Sequence, residues 1–223
     1  MTHKTTVEGG IILSQNTNHS YYHQNQHAQS ISKVWLYFMY YWIIFGIGCY
    51  LGQFLPLSWR QPLSFGLLII ILATLVFERA RRFGLIISHI YAVVIGLLSY
   101  ATFTTYLQNL GPDIFYKNIA LAIFAFIAFG IIGYFFVGDA SSIGKYLFVT
   151  LIIASLIGIF LQNPIFYTII TVVSLLLFLL YTLYDFNRLK RGDYSPREMG
   201  FNLFINLLNI IKDILYLANM FRR

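Results

Sequence analysis

Charge is what this chain has least of. Asp, Glu, Lys and Arg make up only 10% of its 223 residues, against roughly 25% in a soluble globular chain. Cysteine is nearly absent too. The single Cys49 excludes an internal disulfide and a cysteine metal cluster, and its apolar setting suits a small buried residue. The chain carries no nucleophile elbow, phosphate loop or helical zinc motif. Nothing therefore points to an enzyme, and no cofactor is expected. A cleaved signal peptide is not expected either, because the first apolar run starts only at Val34 and lacks a clear small-residue cleavage site.

What the chain has instead is apolar surface. Hydrophobic residues make up 58% of it and aromatic residues 18%. A water-soluble fold of this size cannot hide that much, so the lipid bilayer is the expected solvent. The formal net charge is +7, which raises the question of nucleic acid. The 15 Lys and Arg sit in short runs between apolar stretches, as membrane loops do, and no nucleic-acid partner is expected.

Residues 1–33 are polar, hold His3, His19, His23 and His27, and read as a disordered cytoplasmic tail. Residues 34–223 read as one transmembrane domain. Its apolar runs are 34–54, 63–77, 83–107, 119–137, 146–161 and 165–185. Each is near the roughly 20 residues a crossing helix needs, or can borrow flanking residues. Breaks fall at Pro56, Pro62, Gly111-Pro112, Gly138 to Gly144, and Asn163-Pro164. The last break is short, so the fifth and sixth helices should be antiparallel neighbours. Gly48 and Gly52 form a small-xxx-small pair, a helix-packing signal.

A seventh helix is predicted over 196–220. Ser195 is placed to cap it, Pro196 suits its first position, and Glu198 completes a capping box. It carries Asn202, Asn206, Asn209, Lys212, Asp213 and Asn219. Lipid would not tolerate that face, whereas six surrounding helices would. The expected fold class is an all-α membrane protein, a seven-helix bundle with a polar central last helix.

Positive residues set the orientation. Lys4, Lys33, Arg79, Arg81, Arg82, Lys145, Arg188, Lys190, Arg191 and Arg197 fall on the N-terminal side; Arg60, Lys117, Arg222 and Arg223 fall on the other. The bias places the N-terminus in the cytoplasm. The terminal Arg222-Arg223 pair runs against it and leaves a re-entrant last helix as an alternative.

Ionisable residues inside a membrane are costly and mark candidate sites. Asp185 lies roughly 7–9 Å from the end of the sixth helix at 1.5 Å per residue, level with Asn202 and Asn206 on the seventh. Asn206, Asn209 and Asp213 share one face, which suits an ion path or pH sensor. A salt bridge from Asp185 to Arg79, Arg81 or Arg82, with the asparagines as interhelical glue, is the other reading. Tyr184-Asp185 and Gly138-Asp139 resemble the motifs of presenilin-type intramembrane proteases. Their reversed order, and Phe136 where a glycine is needed, exclude that assignment.

Three stretches together resemble the transmembrane Bax-inhibitor-motif family, in its bacterial branch. They are Leu51-Gly52-Gln53-Phe54-Leu55-Pro56, the basic turn Arg79 to Gly84, and Tyr184-Asp185 followed by an Asn-rich last helix. The resemblance covers roughly 33–223 and implies seven helices with the last one central. It also implies a pH-sensitive calcium leak, in which two acidic residues share a proton and an arginine latch opens the pore. Asp185 matches the first acid and is the candidate calcium ligand. Asn206 or Asn209 stands where the second acid is expected, with Asp213 one or two turns beyond. The latch candidates are Arg79, Arg81 and Arg82.

The expected function is a calcium-permeable leak channel gated by protonation around Asp185, in a bacterial cell inner membrane. The partners are the bilayer, and calcium ion or proton. A non-conducting interaction protein that binds other membrane proteins in quality control is the alternative. A proton-coupled transporter ranks below both, because no internal repeat or pair of broken helices is visible.

Overall fold

The computed structural model describes residues 8–76, 84–160 and 163–222. Seven helices account for nearly all of them: α1 (Glu8–Gly52), α2 (Leu57–Val76), α3 (Gly84–Leu110), α4 (Pro112–Ile131), α5 (Ile143–Phe160), α6 (Pro164–Arg191) and α7 (Pro196–Phe221). The described residues include no strand. Among the described residues, five helices are long and apolar enough to cross a membrane: 30–52 of α1, 86–110 of α3, 112–136 of α4 with its extension, 165–191 of α6 and 196–221 of α7.

Two boundaries and one cap differ from expectation. The backbone is helical from Glu8 onward, where disorder is expected over 1–33. No proline interrupts 8–52, so nothing stops the first span's helix from propagating back through polar residues. Helix α2 begins at Leu57 and contains Pro62. That ring sits close enough to the start to cost about one intrahelical hydrogen bond rather than the helix. Ser195 is the N-terminal boundary residue of α7, but its side chain makes no capping bond. The extended Ser195 backbone and Pro196 at the first turn set the start instead.

Other boundaries follow the sequence signals. Asn163 caps α6 by accepting from the Ile165 N–H at 2.9 Å. Gly192 ends α6 with φ 75°, a left-handed cap that favours glycine. Beyond α4 comes one π turn, Ile132–Phe136, closed by the Val137 N–H donating to the Ile132 carbonyl at 3.2 Å.

Close glycine contacts set the directions. A Cβ on Gly48 would stand 2.5 Å from the Val93 carbonyl oxygen, one on Gly52 2.5 Å from that of Leu97, and one on Gly96 2.5 Å from that of Phe45. The register rises on both helices together, so α1 and α3 run parallel in backbone contact, as the small-xxx-small signal anticipates. Helix α7 also runs with them. Gly200 meets Val34 and Tyr37 at one end, and Asn219 meets Asn109 at the other. Helix α6 runs against α7 and lies beside α5.

Helix α7 packs against α1, α3, α4 and α6. It is 50% buried, against 22–28% for the other four spans. Met199, Leu203, Phe204, Leu208, Ile210 and Leu215 are fully enclosed, and Phe204 is ringed by Tyr41, Trp42 and Phe45 of α1. The last helix is therefore central. It crosses from end to end: beyond Asn219, Arg222 donates to the Leu110 carbonyl at the far end of α3.

Candidate functional site

Buried polar groups of α6 and α7 meet at the end of the bundle where α6 finishes and α7 begins. Asp185, on α6, is 2% exposed, and Asn206, on α7, is 4% exposed. The Asn206 amide Nδ2 donates to Asp185 Oδ2 at 2.8 Å. Helical rise alone places these residues at one level, and the antiparallel contact closes them. Asp185 Oδ1 lies 3.9 Å from Arg188 Nη1 on the same helix. That is looser than the roughly 2.7–2.9 Å of a charge-assisted hydrogen bond, so Asn206 is the principal partner. Arg188 is also held elsewhere. Its guanidinium lies 5.8 Å from the centre of the Tyr184 ring, and its Nε donates to the Asp193 carbonyl at 3.1 Å. Arg79, Arg81 and Arg82 lie outside the described residues.

The expected stripe on α7 is divided rather than continuous. Asn209 donates to the Ile205 carbonyl of its own helix at 2.9 Å. Asp213 is two turns beyond Asn206, beside Ser174 of α6, and does not reach Asp185. Among the described residues, no group of three or more His, Cys, Asp or Glu could hold a metal. A cation passing Asp185 would meet one carboxylate and neutral oxygens. His89 is a satisfied histidine, with Nε2 2.8 Å from the Tyr40 hydroxyl.

The structure adds a residue that the sequence does not mark. Asn187, two positions after Asp185 and fully buried, faces α4 instead of α7. Its Nδ2 donates to the carbonyls of Gly133, Val137 and Gly138 at 3.2, 3.1 and 3.4 Å. Its Oδ1 accepts from the Ala140 N–H at 3.0 Å. A π turn leaves carbonyls without their usual intrahelical donors, and one amide satisfies several of them. Gly133 is needed there, because a Cβ would collide with the Leu183 backbone. Outside the clamp, Arg191 Nη1 pairs with Asp139 Oδ1 at 2.8 Å, and Lys190 donates to the Val137 carbonyl at 3.4 Å. The Ser141 N–H and hydroxyl, with Arg191 as a lesser cause, hold the exposed Asp139 carboxyl below its ordinary 3.8.

One turn of α6 thus grips two neighbours: α7 through Asp185 and the α4–α5 connection through Asn187. A break at Asp185–Asn206 would remove this polar tie between α6 and α7 while leaving the Asn187 bonds to the α4–α5 connection in place.

Comparison with known proteins agrees with this architecture. Residues 27–223 match the model of a family described as inhibitor of apoptosis-promoting Bax1. Uncharacterized proteins from two strains of Helicobacter pylori are each 37% identical over 87 residues, covering 37% of this chain and 38% of theirs. The match therefore spans well under half the length of those relatives. An uncharacterized protein of Campylobacter jejuni is 28% identical over 186 residues, 77% of this chain and 71% of that protein. With seven helices, the polar last one at the centre, and a family match over nearly the whole chain, this protein belongs to the Bax inhibitor family and has bacterial relatives.

Proposed function

We propose that this protein is a pH-sensitive calcium-permeable leak channel, not an enzyme, held closed by the Asp185–Asn206 contact. The observation that carries this reading is a carboxylate sealed inside an apolar bundle and tied to the central helix by one amide at 2.8 Å. Membrane proteins keep a buried ionisable group where ions or protons move. Carboxylate and amide oxygens suit a hard cation. Adding or removing the Asp185 proton changes the strength of its bond to Asn206, because a charge-assisted hydrogen bond is roughly twice as strong as a neutral one. The charged or titratable groups acting on Asp185 are Arg188 and Tyr181 on α6 and Glu198 on α7.

The setting is a bacterial inner membrane with a cytoplasmic N-terminus. Arg188, Lys190, Arg191 and Arg197 gather at the end of the bundle where α7 begins, whereas Lys117 and Arg222 lie at the opposite end.

Calcium flux into liposomes holding the purified protein, at about pH 6 and pH 8, tests the proposal with Asp185→Asn alongside. Flux that responds to pH and loses the response in the variant supports it. Flux equal to that of empty liposomes, from folded protein, removes it. That outcome would favour a non-conducting role in which the bundle binds other membrane proteins. The well-satisfied Asn187 network is compatible with such a static scaffold.

A further inference from the structure

Few basic residues lie at the far end of the bundle, and one of them, Arg222, has a task there. Helix α3 stops at Leu110, a single residue, Gly111, turns the chain, and α4 starts at Pro112. Gly111 has φ 76°, a conformation that favours glycine. The last carbonyls of a helix have no intrahelical donor. Leu110 is 1% exposed, so its carbonyl needs a protein donor, and the Arg222 guanidinium supplies one. One turn back along α7, Asn219 is 8% exposed, and its Oδ1 accepts from the Asn109 amide Nδ2 at 3.1 Å. Two side chains of α7 thus hold the last two residues of α3.

Helix α7 is therefore tied to a different neighbour at each end, and by different chemistry. At the near end Asp185 of α6 holds Asn206 at 2.8 Å. Asp185 can gain or lose a proton, and Arg188 and Tyr181 on α6 and Glu198 on α7 act on it. At the far end the partners are two amides, a backbone carbonyl and a guanidinium. None of these changes charge across the physiological pH range. Between Asn206 and Asn219 the helix holds neither proline nor glycine, so that stretch turns as a rod.

We propose that the Asn109–Asn219 and Arg222–Leu110 ties make the far end of α7 a pivot, about which its near end swings as the Asp185–Asn206 contact forms and breaks. Asn219 and Arg222 are positioning residues that act through α7 and not on the ion. The pivot rests on the leak-channel reading for its purpose. Its lever follows from helical rise. Asn206 is 13 residues from Asn219 and Ser195 is 24 residues from it, about 20 Å and about 36 Å. Taking Asn206 from 2.8 Å to beyond hydrogen-bond reach needs about 1 Å. The lever enlarges that to about 2 Å at Ser195.

Spin-label distances in liposomes read the swing. The full chain with Cys49→Ala carries one label pair across the near end, Ser142→Cys/Ser195→Cys, or one across the far end, Tyr116→Cys/Phe221→Cys. All four positions are exposed, and Ser142 lies in the α4–α5 connection that Asn187 ties to α6. Between about pH 6 and pH 8 the near-end distance should change by about 2 Å, while the far-end distance stays constant. Adding Asn219→Ala/Arg222→Ala should make the far-end distance vary with pH and flatten the pH response of calcium flux. A far-end distance that changes in the tied protein, or a near-end distance that does not, overturns the pivot. So does a double variant whose far end stays constant and whose flux keeps its full pH response. Should the double variant fail to fold, the two distances in the tied protein decide alone. Flux recorded on the same liposomes separates the two readings. The expected distances without flux keep the pivot and remove the channel. A pH-dependent flux with a static near end keeps the channel and removes the pivot.

Discussion

Asn187→Ala is the change whose cost can be worked most directly from the structure. The residue is fully buried and makes no contact with the ion path proposed at Asp185. Truncation leaves the Ala140 N–H, itself in a fully buried residue, without an acceptor, at about 1–3 kcal/mol. It also removes the amide's two N–H groups from the carbonyls of Gly133, Val137 and Gly138, at about 1 kcal/mol for each N–H. The sum is about 3–5 kcal/mol, which for a chain of this length lowers the apparent melting temperature by about 10 °C. Asn187→Asp sharpens the test. It keeps the shape and the acceptor for Ala140 but turns a carboxylate oxygen toward three carbonyls. It should destabilise at least as much as Asn187→Ala. Thermal unfolding in detergent, followed by tryptophan emission, reads both. A shift below about 2 °C for Asn187→Ala, under 1 kcal/mol, would refute the clamp. So would an aspartate variant as stable as wild type.

Two further predictions concern packing and pH. Gly48→Ala and Gly96→Ala each push a methyl onto facing backbone and should cost about 1–3 kcal/mol. Gly46→Ala meets nothing within 4 Å and should gain about 0.5–1 kcal/mol from better helix propensity. Equal melting shifts in all three variants would contradict the α1–α3 contact. Asp139 has a lowered carboxyl, so its contribution to stability is present above 3.8 and is lost only as pH falls below that value. The Asp139–Arg191 pair is therefore unchanged between about pH 6 and pH 8, well above any carboxylate midpoint of this kind. Asp139→Asn should leave the pH response of calcium flux intact. A lost response would place the sensor in the α4–α5 connection instead of at Asp185.

Much of the fold was legible because it is written in apolar runs and in proline and glycine breaks. The order of the seven helices, the enclosure of the last one and the level shared by Asp185 and Asn206 all follow from helix length and a 1.5 Å rise. The helical extension of α1 back to Glu8 was not legible. Polar composition argues for disorder, and only the lack of proline hints otherwise. The role of Asn187 was hidden for a different reason. Two residues along a helix turn the side chain by roughly 200°, so Asn187 and Asp185 face different neighbours. Its partners are carbonyls freed by a π turn at Ile132–Phe136 that no residue type announces. The stripe of Asn206, Asn209 and Asp213 was visible as a face. Its division into separate contacts depends on Ser174 and on the Ile205 carbonyl, which spacing alone cannot pair with it.

The central position of α7 has a consequence for how the protein is made. Of the five long spans found among the described residues it is among the least apolar, and it follows the other four along the chain. Its asparagines and Asp213 cannot rest in lipid alone at a tolerable cost. Entry into the membrane therefore depends on a cleft that α1, α3, α4 and α6 have already formed. Biogenesis acquires a fixed order, in which the walls are raised first and the polar lining is slid between them. A chain stopped before Pro196 would leave that cleft open to lipid, a ready target for membrane quality control.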